Sequence, residues 1–326
     1  MFSGRRFGLF SAVIVCGSVL AASAAPPLVA HRPIKIPGAS GRFDYMTVDS
    51  GMHRLFATHK GVKQLAVLDL KTDQVLPSVN VGTTQGIAVD VHNGTVLLGG
   101  EEEQRIVVLN RSTLAVQQVI TTPGPVDAIA LDTRNGLLYG DHDDDTAIFV
   151  VSPSRKKLVH SIPIPSGPEF ICYDSADNYI YQNIKRNNTV LKISPSTGKI
   201  VATWSSLPAQ SPHGMAIDTK TGMLFSAGQN GMIIEINLKT GRKVSTATIA
   251  KGVDQIAFDS GLKRIYCACH GKISVVQETA KGLKSLGTVK AIETAHTLAV
   301  DPVTHAVWTT GFNAGGSYFQ ELTLNR

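Results

Sequence analysis

Short apolar runs of Val, Ile, Leu and Ala alternate along the chain with turns rich in Gly, Asn and Asp. Seven of these runs end in an aspartate, here called the anchor aspartates: Asp49, Asp90, Asp132, Asp174, Asp218, Asp259 and Asp301. Successive anchors are 41, 42, 42, 44, 41 and 42 residues apart. A fixed period of this length is typical of solenoid and propeller proteins.

Each repeat predicts four β-strands. The anchor ends the first strand and opens a turn, such as residues 132–136. A second strand follows, as at 223–225, and then a third, as at 233–237. A turn at 239–241 leads to a fourth strand that begins at Lys243. Short β-branched runs between Gly, Asn and Asp are typical of strands and hairpins, and no later segment has sustained helical periodicity.

Seven units of four strands predict an all-β fold, a seven-bladed β-propeller with four-stranded antiparallel blades. The last repeat stops after its third strand, at 318–324, whereas residues 32–38 form a spare strand. Pairing of the two would complete the last blade and remove two open sheet edges. An open β-solenoid is the alternative, and the two chain ends favour the closed ring.

The first 24 residues predict a secretory signal. Arg5 and Arg6 precede an apolar run at 9–20, and Ala22 and Ala24 place small residues before a cut after Ala24. We therefore expect residues 1–24 to be a signal peptide, 25–326 to be one propeller domain, and the protein to be periplasmic or secreted. The apolar run is short for a bilayer span and no later stretch matches it, so we expect no membrane span. We also expect a monomer.

Composition narrows the class further. The 326 residues are 43% hydrophobic and 17% charged, which excludes a disordered chain and a coiled coil. Three cysteines follow the signal: Cys172, Cys267 and Cys269. Cys267 and Cys269 lie two apart on a predicted strand and point to one face, which suits buried free thiols better than a disulfide. A soft-metal site with His270 is the alternative, although zinc sites usually space paired cysteines wider.

The repeats resemble a known family. The segment Pro212-His213-Gly214-Met215-Ala216-Ile217-Asp218 is similar to the Pro-x-Gly-Ile-Ala-Val-Asp motif of the YVTN-type seven-bladed propellers of exported bacterial proteins, and residues 106–110 match its third strand. The second-strand signature departs, with 56–59 the nearest match. The resemblance implies the same fold and leaves the activity open, because propellers host unrelated functions.

Propeller topology gathers polar residues at one channel mouth. Loops that enter the innermost strands surround this mouth, and the residue five positions before each anchor lies there. We call these seven the mouth ring: Asp44, Gln85, Asp127, Glu169, His213, Asp254 and His296. The loops after the second strands add His59, Glu101 to Glu103, His142 with its neighbouring aspartates, Gln229, Asn230, His270 and Asn313. As ligand-binding candidates we name Asp44, His59, Asp127, His142, Glu169, His213, Asp254, His270 and His296.

A metal site at this mouth is one hypothesis. Imidazoles and carboxylates that converge on an axis suit Ca, Mg, Mn or Zn, and crowded carboxylates raise one another's pKa unless a cation is present. We name Glu169, His213, Asp254 and His296 as candidate ligands of a divalent metal, and no cofactor is certain. The alternative is that ring residues bond neighbouring loop backbone or face channel water. Residues 141–145 partly resemble a calcium loop but lack the Gly and Glu of an EF-hand.

We consider three functions, in order of preference. The first is a binding module that holds a small ligand, a metal or a protein partner at the acidic, His-rich mouth. The second is a metal-dependent hydrolase or lyase of the lactonase or streptogramin-lyase type, with an imidazole as general base. The third is nucleic-acid binding through the opposite face, whose turns carry Arg54, Arg111, Arg134, Lys239 and Lys263 among other basic residues. The chain has no nucleophile elbow, Walker loop or dinucleotide fingerprint, and its sequence assigns no catalytic residue.

Overall fold

A computed structural model describes Met1 and residues 25–141 and 146–325. Two short strands come first: β1 (Leu28–Ala30) and β2 (Ile34–Ile36). The strands of blade 1 are β3 (Met46–Asp49), β4 (Arg54–His59), β5 (Gln64–Asp69) and β6 (Gln74–Asn80), with a 3-10 turn at Lys60–Val62. Those of blade 2 are β7 (Thr84–Asp90), β8 (Thr95–Gly100), β9 (Arg105–Asn110) and β10 (Val116–Thr121).

The remaining blades repeat this order. Blade 3 has β11 (Ile129–Asp132), β12 (Leu137–Asp141), β13 (Ala147–Ser152) and β14 (Lys157–Pro163). Blade 4 has β15 (Pro168–Asp174), β16 (Tyr179–Ile184), β17 (Thr189–Ser194) and β18 (Lys199–Ser205). Blade 5 has β19 (Pro212–Asp218), β20 (Met223–Gly228), β21 (Met232–Asn237) and β22 (Lys243–Thr248). Blade 6 has β23 (Val253–Asp259), β24 (Arg264–Cys269), β25 (Lys272–Thr279) and β26 (Gly282–Lys290), and blade 7 has β27 (Leu298–Val300), β28 (Val307–Asn313) and β29 (Gly316–Leu324).

Each blade is a separate antiparallel sheet whose strands follow chain order from the centre outward. The fold is therefore the predicted all-β, seven-bladed propeller. The anchor aspartates explain the sharp turn after each first strand, because Oδ1 of every anchor accepts a backbone N–H two or three residues later. The seven donors are Met52, Asn93, Arg134, Ala176, Lys220, Gly261 and Val303.

The N-terminal residues complete the last blade. Strands β1 and β2 both pair with β29, with Leu28 opposite Leu324 and Ile34 opposite Phe319. The predicted strand at 32–38 is found as β2, and β1 is an additional short strand before it. Pro33, which has no N–H to donate to a ladder, lies between the two. Strand β27 also contacts β3, so blade 7 packs against blade 1 and the ring is closed.

The core lies between the blades. Seven apolar clusters each join two neighbouring blades, and the cluster between blades 7 and 1 includes Ile36, Phe43 and Trp308. The second strands are buried on both faces; Phe56, Tyr139 and Tyr181 are fully inaccessible there. Burial of one large apolar side chain contributes about 1.5–3 kcal/mol, so every blade interface adds substantially to stability.

The cysteines are free thiols, as predicted. Cys267 and Cys269 are buried in the cluster between blades 5 and 6, and Cys172 is half-buried. Burial raises the pKa of Cys172 and Cys269 to about 12, which makes both thiols poor nucleophiles near neutral pH. Across residues 25–141 and 146–325, no helix has the length and hydropathy that a bilayer crossing requires.

Candidate functional site at the channel mouth

The mouth ring lies where the innermost strands begin, and its charges are neutralised by lysines. Lys60, at the end of β4, reaches from blade 1 to blade 2. Its Nζ donates to Oε1 of Gln85 at 2.7 Å, and it lies 2.8 Å from Oε2 of Glu101 and 3.6 Å from Oδ2 of Asp44. This single ammonium therefore balances two carboxylates on adjacent blades.

A second lysine, on blade 4, pairs with another carboxylate of the mouth ring. Lys185, which follows β16, donates to Oε1 of Glu169 and forms an ion pair with it. The same carboxylate oxygen lies 3.3 Å from Nε2 of His213 on blade 5. Gln229 approaches this Nε2 at 2.9 Å, and Nδ1 of His213 lies 3.2 Å from the carbonyl of Ser211. Glu169 and His213 are thus brought together, with the imidazole oriented by two further groups.

His296 connects blade 7 to blade 1. Its Nδ1 lies 2.9 Å from the carbonyl of Thr294 and its Nε2 lies 3.0 Å from the carbonyl of Phe43. A neutral imidazole has one N–H and can donate to only one of these two oxygens. Oδ2 of Asp254 lies 4.0 Å from Nε2, so a second imidazole–carboxylate pair stands beside the first.

Asp44 is the ring residue with an incomplete set of partners. The residue is only 7% exposed, and its Oδ2 accepts no hydrogen bond from the residues that the structure describes. Burial raises the pKa of this carboxyl group to about 6; the charge of Lys60 opposes the effect and that of Asp254 adds to it. A buried polar atom without a partner carries a free-energy cost, which a bound donor would remove.

An aromatic pair spans the channel directly below the ring. Tyr45 of blade 1 and Phe170 of blade 4 have ring centroids 5.7 Å apart. Both line a channel cavity of about 380 Å³ with apolar residues such as Ile87, Ile129 and Leu298. Burial raises the pKa of Tyr45 well above its usual value, and the surrounding acids, first among them Asp127, raise it further. The mouth therefore has a charged rim over an aromatic floor.

Asp127 and Asp141 are held in the wall of the mouth. Asp127 is 9% exposed and its N–H donates to the carbonyl of Asp141. The carboxylate of Asp141 accepts from the N–H of Ala128 at 2.9 Å and from Nε2 of Gln182 at 2.8 Å. Asp141 thus points into the blade and stabilises it. His142 and the aspartates at 143–145 lie outside the described residues, so the predicted roles of that loop stay predictions.

His59 and His270 make their contacts away from the ring. His59 is 1% exposed and stacks on Phe43 with centroids 4.0 Å apart, while its Nε2 lies 3.0 Å from Oγ of Ser317. Burial lowers the pKa of His59 to about 4, so the ring is neutral near pH 7. His270 is exposed, lies 3.0 Å from the carbonyl of Gly252, and lines a different cavity of about 580 Å³.

The four proposed metal ligands form two pairs, Glu169 with His213 and Asp254 with His296. Within residues 25–141 and 146–325, no three His, Cys, Asp or Glu side chains are arranged to hold a metal ion. The ammonium of Lys185 also forms an ion pair with Glu169. As placed, the four residues are two separate pairs and do not fit a single metal ion. A bound divalent cation remains a prediction, which elemental analysis of the protein and of Glu169→Gln would test.

The two lysines were missed in the sequence, although the repeats contain the signal. Lys60 stands eleven residues after Asp49, and Lys185 stands eleven residues after Asp174. Gln229 has the same position after Asp218. This position follows the second strand, and in each case its side chain contacts the ring residue of its own blade. In three blades, therefore, the residue at this position adds a donor beside the mouth ring.

The opposite face has the predicted basic turns, and several of them form ion pairs. Nε of Arg111 donates to Oδ2 of Asp49 at 2.6 Å, which lowers the pKa of that carboxyl group against the effect of its burial. Arg134 lies 3.7 Å from Oδ1 of Asp132. Nucleic-acid binding at this face remains a prediction.

No protein-family model and no curated protein sequence matches this chain. Solved structures match it in fold. The streptogramin B lyase structure aligns with a TM-score of 0.74 at 15% identity, over 91% of this chain and 98% of that one. The WD40 repeats of RRP9 align at 0.77 and 10% identity over 91% and 100%, and hydrazine synthase of Kuenenia stuttgartiensis at 0.75 and 12% over 88% and 96%. At these identities the similarity shows the propeller fold, an architecture that suits a binding module.

Proposed function

We propose that this protein is a binding module whose channel mouth holds a small polar ligand. The observation that carries the proposal is Asp44, a buried carboxylate whose Oδ2 accepts no hydrogen bond from the described residues, and whose pKa the charges of Lys60 and Asp254 both affect. Buried polar groups are nearly always hydrogen-bonded, so an unpartnered one at the mouth of a concavity favours a ligand.

The chemistry of the rim defines the ligand class. Asp44 and Asp254 offer acceptors, whereas Lys60 and Lys185 offer donors that are each only about one-fifth exposed. A ligand with both donors and acceptors, such as a polyol or a zwitterion, suits this mixed rim. The rings of Tyr45 and Phe170 below favour a flat or apolar part at its inner end.

A differential binding screen tests the proposal. Ligand-observed NMR of a panel of polyols, amino acids, hydroxy acids and lactones is run against the wild type and Asp44→Asn. The amide of Asn keeps the size of the side chain but removes its charge and one acceptor. We expect at least one compound whose affinity falls about tenfold or more in the variant. Binders that are unaffected by Asp44→Asn, or a panel without binders, would contradict the proposal.

The second candidate is a hydrolase or lyase. Nε2 of His213 lies 3.3 Å from the carboxylate of Glu169, an arrangement that can serve a general base, and the streptogramin B lyase structure has a similar fold. The catalysed step would remove a proton from water or from the substrate. Turnover of a lactone panel by the wild type, lost in His213→Ala and retained in His270→Ala, would support an enzyme.

Export and family membership belong to the same proposal. We infer that the chain is a diverged YVTN-type propeller that is exported by the predicted signal at residues 1–24, acts as a monomer, and meets its small-molecule or protein partner at the mouth. The N-terminal sequence of the protein recovered from a periplasmic fraction tests the export: we expect it to begin at Ala25.

A further inference from the structure

A third cavity lies on the opposite side of the molecule, between blades 5 and 6, and its lining includes two glutamates and two lysines, Lys263 and Lys281. It has a volume of about 440 Å³, within the usual range for small-molecule sites. Glu235 of β21 and Glu278 of β25 face it from the two blades, and Met223, Val244 and Ala280 supply apolar walls. None of these residues belongs to the channel mouth.

Both carboxylates are buried and incompletely bonded. Glu235 is 3% exposed and Glu278 is 6% exposed. Oε2 of each side chain accepts no hydrogen bond from the residues that the structure describes. The hydroxyl of Thr221 donates to Oε1 of Glu278 at 3.3 Å, and the half-exposed ammonium of Lys263 lies 4.0 Å from its Oε2. Two acceptors therefore remain without a donor in the wall of one cavity.

The repeats show that structure alone does not require a glutamate here. Glu235 pairs across its sheet with Phe225, and the residue in the same register is a valine in four other blades: Val67, Val108, Val150 and Val275. In blade 7 it is Glu321, which is only half-buried. In blade 4 the position is Lys192, whose ammonium forms an ion pair with Asp177 at 2.9 Å. A buried carboxylate without a partner is unfavourable where valine would pack, so its presence requires another explanation.

The pKa values of Glu235 and Glu278 agree with the burial of the two side chains. Burial, and secondly the negative charge of Glu278, raise the pKa of Glu235 to about 7. Burial also raises the pKa of Glu278, and the nearby Asp218 adds to the effect. A positive charge placed between the two side chains would reverse both shifts and would recover the cost of burying them.

We propose that this cavity is a binding site for a small organic cation, a primary ammonium or guanidinium group on a short apolar chain. The cation would donate to the free oxygens of Glu235 and Glu278, and its chain would pack on Met223 and Val244. The size and apolar walls of the cavity favour an organic cation over a bare metal ion, and no metal-holding trio occurs among the described residues.

The test uses methyl NMR of the full chain. The sequence has six methionines, and Met223 lines the cavity, so its methyl signal reports binding there. The probe is n-butylammonium, and the matched probe is n-butanol, which has the same chain without the charge. We expect a saturable shift of Met223 with n-butylammonium and at least about tenfold weaker binding of n-butanol.

Two variants of Glu235 test whether its carboxylate binds n-butylammonium. Glu235→Val introduces the residue found in four of the other blades and should weaken n-butylammonium binding about tenfold or more while the protein stays folded; Glu235→Gln is the conservative second variant. Glu321→Val alters the same register position in blade 7, where Glu321 pairs with Trp308, and should leave binding within about twofold. These changes leave Asp44 and Lys60 intact, so the outcome is independent of the channel mouth.

Three results would overturn the proposal. Equal binding of n-butanol would make the cavity merely apolar. A Met223 shift with calcium chloride but not with n-butylammonium would assign the cavity to a metal ion. Unchanged n-butylammonium binding in both Glu235 variants would remove the carboxylate from recognition.

Discussion

The ammonium of Lys60 lies 2.8 Å from Oε2 of Glu101, and this ion pair joins blade 1 to blade 2 at the channel mouth. Lys60 and Lys185 each form an ion pair with an acidic residue of the mouth ring, Asp44 and Glu169 respectively. Both lysines follow a second strand, eleven residues after an anchor aspartate, so the same repeat position supplies positive charge to the mouth from two blades.

The first prediction concerns Lys60. Lys60→Met removes the ammonium that donates to Gln85 and forms ion pairs with Asp44 and Glu101. We expect a loss of about 1–2 kcal/mol in the free energy of unfolding, measured by urea denaturation at pH 7. The matched control is Lys63→Met in the same loop. Lys63 pairs with Glu102 in full exposure, so no measurable change is expected. Equal losses in both variants would contradict the account.

The closing strands provide the second prediction. Ile36 is 1% exposed in the cluster between blades 7 and 1, and Ile36→Ala should cost about 2–4 kcal/mol of unfolding free energy. Val29 is 42% exposed on β1, and Val29→Ala should change stability by less than about 0.5 kcal/mol. Thermal or urea unfolding measures both. A mild effect of Ile36→Ala would indicate that the N-terminal strands do not complete the last blade.

The third prediction concerns acid stability. The pKa of His59 falls from 6.5 to about 4 on folding because the ring is buried. Between these values the unfolded chain binds a proton that the folded chain does not, so stability is full above pH 6.5 and falls as the pH drops toward 4. Substitution His59→Gln should reduce this slope in urea titrations at several pH values. The exposed His92, changed to Gln, should leave the slope unaltered.

The fourth prediction concerns Glu235, whose burial makes the protein less stable as the pH rises. The pKa of Glu235 rises from 4.5 to about 7 on folding, so the folded state binds the proton more tightly. Its contribution to stability is full below pH 4.5 and is lost as the pH rises through 7. At about 1.4 kcal/mol per pKa unit the loss is on the order of 3 kcal/mol. Glu235→Val should therefore be at least as stable as the wild type at pH 8 and should flatten the profile between pH 5 and 8. A variant less stable than wild type at pH 8 would count against this account.

The sequence was sufficient for the fold because each repeat carries its own turn signal. Asp132, for example, ends an apolar strand and accepts the N–H of Arg134, and the same local chemistry recurs at every anchor. Spacing alone therefore predicted the ring and the face on which Asp44, Glu169, His213 and His296 lie. The additional strand β1, at Leu28–Ala30, was the main detail of the strands that spacing did not predict.

The side-chain contacts at the channel mouth could not be predicted from the spacing of residues in the sequence. Lys60 reaches Gln85 only because the 3-10 turn at Lys60–Val62 directs the loop toward the next blade. His59 ends a strand that is buried on both faces, so alternation could not separate a core position from a mouth position. The sequence places Glu235 in an apolar strand, and only the structure shows that this carboxylate is buried with an oxygen that accepts no hydrogen bond from the described residues.

Measurement of the pKa of Asp44 tests whether the channel mouth has a carboxylate oxygen available to a ligand. Carbon-detected NMR of the wild type, with the Asp44 carboxyl signal assigned through Asp44→Asn, follows its titration from pH 3 to 8. We predict a midpoint near 6, as expected for a buried carboxylate with an oxygen left free for a ligand, and a higher midpoint in Lys60→Met. A midpoint at or below the ordinary value of 3.8 would mean a fully bonded or solvated carboxylate and would contradict the proposed site.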